Sequence, residues 1–167
     1  RFKCGERRMK VCLVGKGEIY EAVRAKLGDL FTISKHPIPA DLLLCIGYPF
    51  TIKNDTIKQY DYGVINVHTS LLPKYRGRHP VDWAMENEEK EVGITVHYIQ
   101  DETIDTGDTI LQDGVLYIVG EGYNSLIKKL ADKAPLLVGM ALCQIEFDIV
   151  YSRKQNEEVA TYYPKRT

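Results

Sequence analysis

The sequence lacks the features that would place the chain in a membrane or on a nucleic acid. No apolar run approaches the roughly 18 residues of a membrane-spanning helix, and no segment combines the charged, apolar and cleavage regions of a signal peptide. The net charge is −1 over 167 residues, so no general attraction to nucleic acid or to an anionic membrane is expected. A soluble, cytoplasmic protein with no nucleic-acid and no membrane partner is therefore predicted.

Cysteine is scarce, and its spacing points to no metal. The four cysteines, at positions 4, 12, 45 and 143, show no Cys-x-x-Cys spacing, and Cys12 and Cys45 lie inside apolar runs. Buried, reduced thiols are expected in preference to a metal site or disulfides. The four histidines lack the helical or knuckle spacing of a zinc site, so no metal is predicted.

Runs of apolar residues predict the strands of a sheet. The run at 41–47 is apolar without interruption, as expected of a strand covered on both faces in a parallel sheet. Residues 92–98 alternate instead, and His97 falls on the face opposite the apolar row, which favours a structural over a catalytic role for it. Further strands are predicted at 9–15, 31–34, 62–65 and 108–118.

Apolar positions three or four residues apart predict the helices. Residues 18–27 have this spacing and predict an amphipathic helix. A short helix is predicted over 80–87, and a long one from Tyr123 that Pro135 is expected to kink.

The same patterns predict a single domain. No internal repeat, low-complexity tract or linker divides the chain, so one α/β domain over 9–167 is expected, with a mainly parallel, twisted sheet and helices on both faces. Residues 1–8 carry no apolar pattern and are expected to be a flexible extension or an expression remnant.

Two short polar motifs suggest a chemistry. Residues two apart on a strand point to the same face, so Asn66 and His68 are expected to project into one space, and Asp105 lies in a second turn, Asp105-Thr106-Gly107. An amide, an imidazole and a carboxylate could together move an acyl group between two nitrogens without a covalent enzyme intermediate. The alternative is that the Asn and His serve a turn and the Asp turn only connects two strands.

The stretch from Gly63 to Gln112 resembles the core of the formyltransferases that use 10-formyl-tetrahydrofolate. The family's pattern is Asn-x-His, Ser-Leu-Leu-Pro-x-x-Arg-Gly, Gly-[Val/Ile]-Thr and Asp-x-Gly. It falls, in order, on Asn66 and His68, on Ser70 through Gly77, on Gly93-Ile94-Thr95, and on Asp105 and Gly107. The resemblance implies a Rossmann-like catalytic domain, although the part before Asn66 is shorter than in most family members.

The resemblance also implies a catalytic role for three residues. Asn66 and a protonated His68 would donate hydrogen bonds to the formyl oxygen as an amine attacks, and one such donor is worth on the order of 3–4 kcal/mol. Asp105 would pass a proton from the amine to the folate nitrogen and favour the charged form of His68.

Ligand contacts follow from the same resemblance. The formyl donor and cosubstrate would be 10-formyl-tetrahydrofolate. The residues expected at the folate are Ile46, Gly47, Tyr48, Pro49 and Phe50, which correspond by position to the family's pterin-binding loop, together with Asp101. Those expected at the acceptor are Ser70, Lys74, Tyr75, Arg76, Gly77 and Arg78, whose basic members could pair with the glutamate tail or an acceptor phosphate. The alternatives are that the aromatic residues cap the sheet and that the basic ones are a solvated loop.

A weaker likeness bears on the acceptor. The Arg76–Pro80 run and the Tyr162–Pro164 tail resemble enzymes that formylate nucleotide-linked amino sugars, so that small-molecule amine is favoured. The alternatives are glycinamide ribonucleotide or another small amine, water as in formyl-folate hydrolases, and a non-catalytic homologue that binds folate or a nucleotide sugar. The basic insertion and C-terminal domain of initiator-tRNA formylating relatives have no counterpart in the sequence. A homodimer is left open.

Overall fold

Residues 8–165 are described by the structure, a computed structural model, and their strands form two sheets. The strands are β1 (Val11–Gly15), β2 (Phe31–Ser34), β3 (Leu42–Ile46), β4 (Val64–His68), β5 (Arg76–Gly77), β6 (Glu91–Tyr98), β7 (Thr109–Leu116) and β8 (Tyr162–Tyr163). The helices are α1 (Glu18–Leu27), α2 (Asn54–Ile57), α3 (Pro80–Glu86) and α4 (Tyr123–Glu146), with short 3-10 turns at Gly28–Leu30 and Glu157–Val159. The predicted strands and helices are confirmed to within a few residues. Except for Arg8, the predicted extension at 1–8 lies outside the described residues.

The main sheet has the strand order β2-β1-β3-β4-β6-β7. The strands from β2 to β4 are parallel, whereas β6 runs antiparallel to both β4 and β7. The predicted α/β fold with a mainly parallel sheet is therefore confirmed. The loops that leave β1, β3 and β4 emerge at one edge, which is where parallel sheets bind ligands.

The two faces of the sheet are covered differently. On one face α1 and α4 pack together over the strands, and Val23, Leu130 and Val138 are completely buried there. On the other face the cover is the single-turn helix α2 with its flanking loop, which brings Ile52 and Tyr60 against the strands. Residues are thus apolar on both sides of β3, because each side faces a covering layer.

The cysteines differ from the expectation at one position. Cys12 and Cys45 are buried and unpaired, as predicted, and burial raises the pKa of both thiols. The prediction is wrong for Cys143, which is exposed because it lies on the outer side of α4. Cys4 lies outside the described residues.

After α4 the chain returns to the loop that follows β4. Its last strand, β8, pairs in parallel with β5 and forms a two-stranded sheet beside the loop that follows β4. None of the helices formed by residues 8–165 combines the length and the apolar character that crossing a membrane would require.

Candidate functional site

A cluster of polar side chains forms where β4, β6 and two loops meet. Asn66 and His68 occupy alternate positions on β4 and therefore share a face. His97 on β6 is paired directly with Asn66 and projects from the same face. Asp105 comes from the loop between β6 and β7, and the Gly77 amide comes from β5.

The cluster converges on the Asp105 carboxylate. Its Oδ2 lies 3.5 Å from His68 Nδ1 and accepts a hydrogen bond of 2.9 Å from the Gly77 amide. Its Oδ1 lies 3.5 Å from His97 Nε2 and accepts a hydrogen bond of 3.4 Å from Asn66 Nδ2. The structure thus brings together the amide, the imidazole and the carboxylate that the sequence singled out, and it adds His97.

Burial and charge act in opposite directions on Asp105. Its side chain is only 9% exposed, and burial by itself raises the pKa of the carboxyl group. The charge of His68 and hydrogen bonds from His97 and Gly77 outweigh that effect and hold the pKa of Asp105 well below its ordinary value. The carboxylate is therefore ionised at neutral pH, the form that can accept a proton.

The two imidazoles are held by backbone carbonyls. His68 Nε2 lies 2.8 Å from the Tyr75 carbonyl oxygen, so this nitrogen carries a hydrogen and Nδ1 faces Asp105. His97 Nδ1 lies 2.9 Å from the Tyr98 carbonyl oxygen, which leaves Nε2 towards the cluster. That Nε2 lies 3.2 Å from Asn66 Nδ2 and 3.5 Å from Asp105 Oδ1, so it accepts the Asn66 amide hydrogen when the ring is neutral and donates to the carboxylate when the ring is protonated.

His97 is a member of the cluster that the sequence patterns did not include. Its predicted position on the face opposite the apolar row is observed, but this face carries Asn66 and His68, and His97 is 1% exposed within the cluster. Alternation along β6 shows on which face of the sheet His97 lies. Which side chains surround it there depends on the neighbouring strand, β4. The informative signal is that Asn66 and His97 are both polar residues inside apolar strands.

The segment predicted to hold the pterin, residues 46–50, turns sharply after β3. Gly47 has φ +61°, and a Cβ atom there would lie 2.4 Å from a carbonyl oxygen of the loop after β1, so the turn requires glycine. Ile46 is buried at the end of β3, and Tyr48 packs against the sheet, as in the alternative interpretation. Phe50 is 62% exposed and meets the Tyr48 ring edge to face at 5.5 Å.

Asp101 lies in the loop between β6 and β7. It accepts a hydrogen bond of 2.7 Å from the Thr103 amide, and hydrogen bonds from Thr103 lower the pKa of its carboxyl group. The adjacent Glu102 is bonded to Lys53 Nζ at 2.8 Å and to the Asn54 amide at 3.2 Å. These contacts bring the Asp101 loop to the end of the segment that follows β3.

Three of the residues expected at the acceptor are engaged within the chain. Ser70 is buried, and its hydroxyl donates to the Lys74 carbonyl oxygen at 2.7 Å. Lys74 pairs with Glu89 at 3.1 Å, and the Tyr75 hydroxyl donates to the same carboxylate at 2.9 Å. The Tyr75 ring stacks on Tyr163 with centroids 5.0 Å apart.

The other three differ sharply in their surroundings. Arg76 is buried, and its guanidinium binds Gln155 and Glu157 at 2.7–3.0 Å, so it is directed into the protein and away from any open ligand surface. Gly77 contributes its amide to Asp105. Arg78 is exposed, and its guanidinium reaches the Pro49 carbonyl oxygen at 3.3 Å, beside the predicted folate segment. Arg78 therefore remains available to an anionic ligand, whereas Arg76 holds the loop.

Two cavities lie away from the cluster. One, of about 310 Å³, lies behind the loop at Ser70–Tyr75, and the other, of about 500 Å³, is a groove between α1 and α4. Asn66, His68 and Asp105 line neither of them. Within residues 8–165, no group of three or more His, Cys, Asp and Glu side chains is arranged to hold a metal ion.

Comparison with known proteins identifies a matching family. Residues 22–142 match the family described as Formyl transferase. The chain is 34% identical over 154 residues to the methionyl-tRNA formyltransferase of Kosmotoga olearia, a match that covers 92% of this chain and 45% of that protein. The chain spans less than half the length of the curated relatives it matches.

Solved structures share the fold at lower identity. The formyltransferase PseJ of Anoxybacillus kamchatkensis, solved with a UDP-linked formamido sugar and tetrahydrofolate, superposes with a TM-score of 0.77 at 23% identity, over 93% of this chain and 85% of that one. HypX of Aquifex aeolicus, solved with tetrahydrofolic acid, superposes with a TM-score of 0.82 at 17% identity, over 95% of this chain and 30% of that one. At these identities the likeness shows the fold alone.

Proposed function

Because the chain belongs to the formyl transferase family, we propose that it moves a formyl group from 10-formyl-tetrahydrofolate to a primary amine. The observation that carries the proposal is the convergence of Asn66, His68 and Asp105 at distances of 3.4–3.5 Å. The catalytic roles, the folate contacts at residues 46–50 and a cytoplasmic location all belong to this proposal.

The first chemical task is to stabilise negative charge on the formyl oxygen. That charge builds when the amine attacks the formyl carbon, and N–H donors aimed at the oxygen lower the barrier. Asn66 supplies amide hydrogens at the cluster, and His68 supplies Nδ1–H when it is protonated. The Nδ1 to Asp105 separation of 3.5 Å is longer than a good hydrogen bond, so the Nδ1–H group is not fully engaged by the carboxylate and is available to a substrate oxygen.

The second task is to move one proton. The attacking amine loses a proton as the new C–N bond forms, and the folate nitrogen gains one as the old C–N bond breaks. Asp105 enters the reaction ionised, accepts the amine proton directly or through water, and returns it to the leaving nitrogen. The Gly77 amide and the two imidazoles keep the carboxylate in place between these steps.

A nucleotide-linked amino sugar is the favoured acceptor. PseJ was solved with a UDP-linked formamido sugar, and this chain spans 85% of the PseJ chain. The net charge of −1 offers no general attraction to a polynucleotide. Exposed Arg78, next to the segment after β3, is the candidate contact for a ligand phosphate.

A second candidate acceptor is methionyl-tRNA. The observation that favours it is the 34% identity to the methionyl-tRNA formyltransferase of Kosmotoga olearia over 92% of this chain. The two acceptors place the amine on very different molecules, so a direct assay separates them.

The proposal is tested by incubating the protein with 10-formyl-tetrahydrofolate and a panel of acceptors, and by following the release of tetrahydrofolate. The panel contains UDP- and dTDP-linked amino sugars, glycinamide ribonucleotide, methionyl-tRNA and a reaction without amine. Release that depends on an amino sugar supports the favoured acceptor, and release with methionyl-tRNA supports the second. Release without any amine indicates a hydrolase. No release under any condition, with Asp105→Asn as the inactive control, indicates a binding homologue and overturns the proposal.

A further inference from the structure

The segment after α4 contributes a side chain that neither the family motif nor the proposed mechanism includes. We propose that Gln155 is a positioning residue, which holds the turn of Asp105 against the loop that also holds His68. This inference rests on the proposed function, because it assigns Gln155 to the orientation of the same site.

The first observation is the pair of hydrogen bonds that Gln155 makes to the Asp105 turn. Its Nε2 donates to the Asp105 carbonyl oxygen at 2.8 Å and to the Gly107 carbonyl oxygen at 2.7 Å. Asp105 has φ +56°, a left-handed conformation that is uncommon outside glycine, although aspartate adopts it more often than most residues. The two hydrogen bonds span this turn and stabilise the unusual conformation that presents the carboxylate.

The second observation is that the other end of the same amide is bound to Arg76. Gln155 Oε1 accepts from Arg76 Nε at 3.0 Å and from Nη2 at 2.8 Å. Both amide hydrogens and both oxygen lone pairs of Gln155 are therefore used. A flipped amide would place its NH2 group against the guanidinium and its oxygen against two carbonyls, so a single orientation is specified.

The third observation is that the loop of Arg76 contacts both catalytic candidates. The Tyr75 carbonyl holds His68 Nε2 at 2.8 Å, and the Gly77 amide holds Asp105 Oδ2 at 2.9 Å. Gln155 ties the backbone of the Asp105 turn to Arg76, the residue between these two. It thereby helps to set the distance of 3.5 Å between His68 Nδ1 and Asp105 Oδ2.

The segment that carries Gln155 is itself fixed on both sides. Arg153 exchanges two backbone hydrogen bonds of 2.8 Å with Thr109 at the start of β7. Further along, the Thr161 hydroxyl accepts from the Tyr75 amide at 2.8 Å, and the Thr161 carbonyl accepts from the Arg76 amide at 2.9 Å. Gln155 is therefore presented by backbone anchored to both loops, as a positioning side chain must be.

The charged groups around Asp105 define the expected pH response. His68 approaches from β4 and His97 from β6, whereas Arg76 binds both Gln155 and Glu157. If the turn loosens, the buried carboxylate moves away from His68, His97 and the Gly77 amide. The ionised form then loses its partners, and the pKa of Asp105 rises towards its ordinary value.

The test compares three variants with the wild type in steady-state kinetics. Gln155→Leu removes all four hydrogen bonds at similar volume, and Gln155→Glu keeps an acceptor for Arg76 while losing the donors to the two carbonyls. Glu157→Gln is the matched control, because it weakens the outer partner of Arg76 and leaves Gln155 intact.

We expect both Gln155 variants to lose about tenfold to a hundredfold in kcat with little change in the folate KM. In a plot of kcat against pH, the fall in kcat on the acid side should move to higher pH. Glu157→Gln should stay close to wild type in both respects.

A second readout does not depend on activity. The titration of the Asp105 carboxyl carbon by NMR is expected to show a higher midpoint in both Gln155 variants than in the wild type and in Glu157→Gln. If Gln155→Leu does not fold, Gln155→Glu supplies the comparison. Unchanged kcat and an unchanged Asp105 midpoint in a folded Gln155 variant would overturn the positioning role. A wild type that releases no tetrahydrofolate with any amine would overturn the proposed function alone, and the NMR titration would still decide the role of Gln155.

Discussion

Asn66 and His97 face each other across the antiparallel pairing of β4 with β6, and Asn66 Nδ2 lies 3.2 Å from His97 Nε2. The amide that is proposed to bind the formyl oxygen is therefore oriented by a histidine 31 residues away. His97 is in turn fixed by the Tyr98 carbonyl, so the orientation of Asn66 depends on the β6 backbone.

The role of His97 is tested by replacing it with phenylalanine, which fills the space but offers no acceptor. We expect His97→Phe to lower kcat about tenfold while folate affinity changes little, because Asn66 loses its orienting partner and acts mainly in the transition state. The control is His79→Asn, since His79 is a histidine outside the cluster and asparagine tolerates its φ of +59°. Equal kcat for the two variants would contradict an orienting role.

Catalysis and binding are separable by three further substitutions. His68→Ala and Asp105→Ala should lower turnover by about a hundredfold or more with little change in folate affinity, because their interactions are made in the transition state. Tyr48→Ala should instead raise the folate dissociation constant, with a smaller effect on turnover at saturating folate. The measurements are turnover at saturating folate and a direct binding titration for each variant. Near-full activity of Asp105→Ala would show that the Asp-Thr-Gly turn only connects two strands and that Asp105 does not carry the proton.

The lowered pKa of Asp105 makes stability depend on pH in a predictable direction. A carboxyl group whose pKa is lower in the folded state stabilises the protein fully above its unfolded value, near 3.8, and loses that contribution as the pH falls further towards the folded value. The free energy of unfolding of the wild type should therefore fall more steeply below about pH 4 than that of Asp105→Asn. Urea unfolding of both proteins between about pH 7 and pH 3 measures the difference. Parallel curves would show that the carboxylate is not stabilised by its neighbours.

The glycine at the junction of β5 and β8 is required for steric reasons. Gly77 has φ +101°, and a Cβ there would lie 2.1 Å from the Tyr163 carbonyl oxygen. Gly17 has the same φ with no atom within 4 Å of its Cβ position, so Gly17→Ala is a matched control for backbone strain alone. We expect Gly77→Ala to lower the free energy of unfolding by about 1 kcal/mol or more beyond Gly17→Ala, and also to reduce activity through the Asp105 contact. An equal decrease in the free energy of unfolding of the two variants would mean that β8 can move away from the added Cβ atom without loss of stability.

Thiol reactivity distinguishes the cysteines of the sheet from that of α4. In a Cys4→Ser background, Cys143 should react rapidly with a thiol reagent in the native protein, because it is exposed. Cys12 and Cys45 should react only on unfolding, since both are buried and burial raises the pKa of their thiols. The rate of labelling is measured with and without denaturant. The control is the double variant that carries both Cys4→Ser and Cys143→Ser. Rapid native labelling of that double variant would contradict the described burial.

Local sequence patterns determined much of the fold. The apolar spacing of residues 18–27 marks both ends of α1, and the uninterrupted apolar run of β3 reflects cover on both faces. Alternation along β4 places Asn66 and His68 on one face whatever the neighbouring strands are. These features are local, because helix and strand periods relate residues that are only a few positions apart.

Tertiary structure alone decided how the site is assembled. Strand order and register bring His97 beside Asn66, and the loop after β6 brings Asp105 to His68. The burial of Arg76 also depends on distant residues, because Gln155 and Glu157, about 80 residues later, bind its guanidinium. No local pattern encodes these contacts, since each depends on which segments the folded chain places side by side. The sequence by itself therefore determined the reactive groups and their faces, while the packing of distant segments decided their partners, their charge and their orientation.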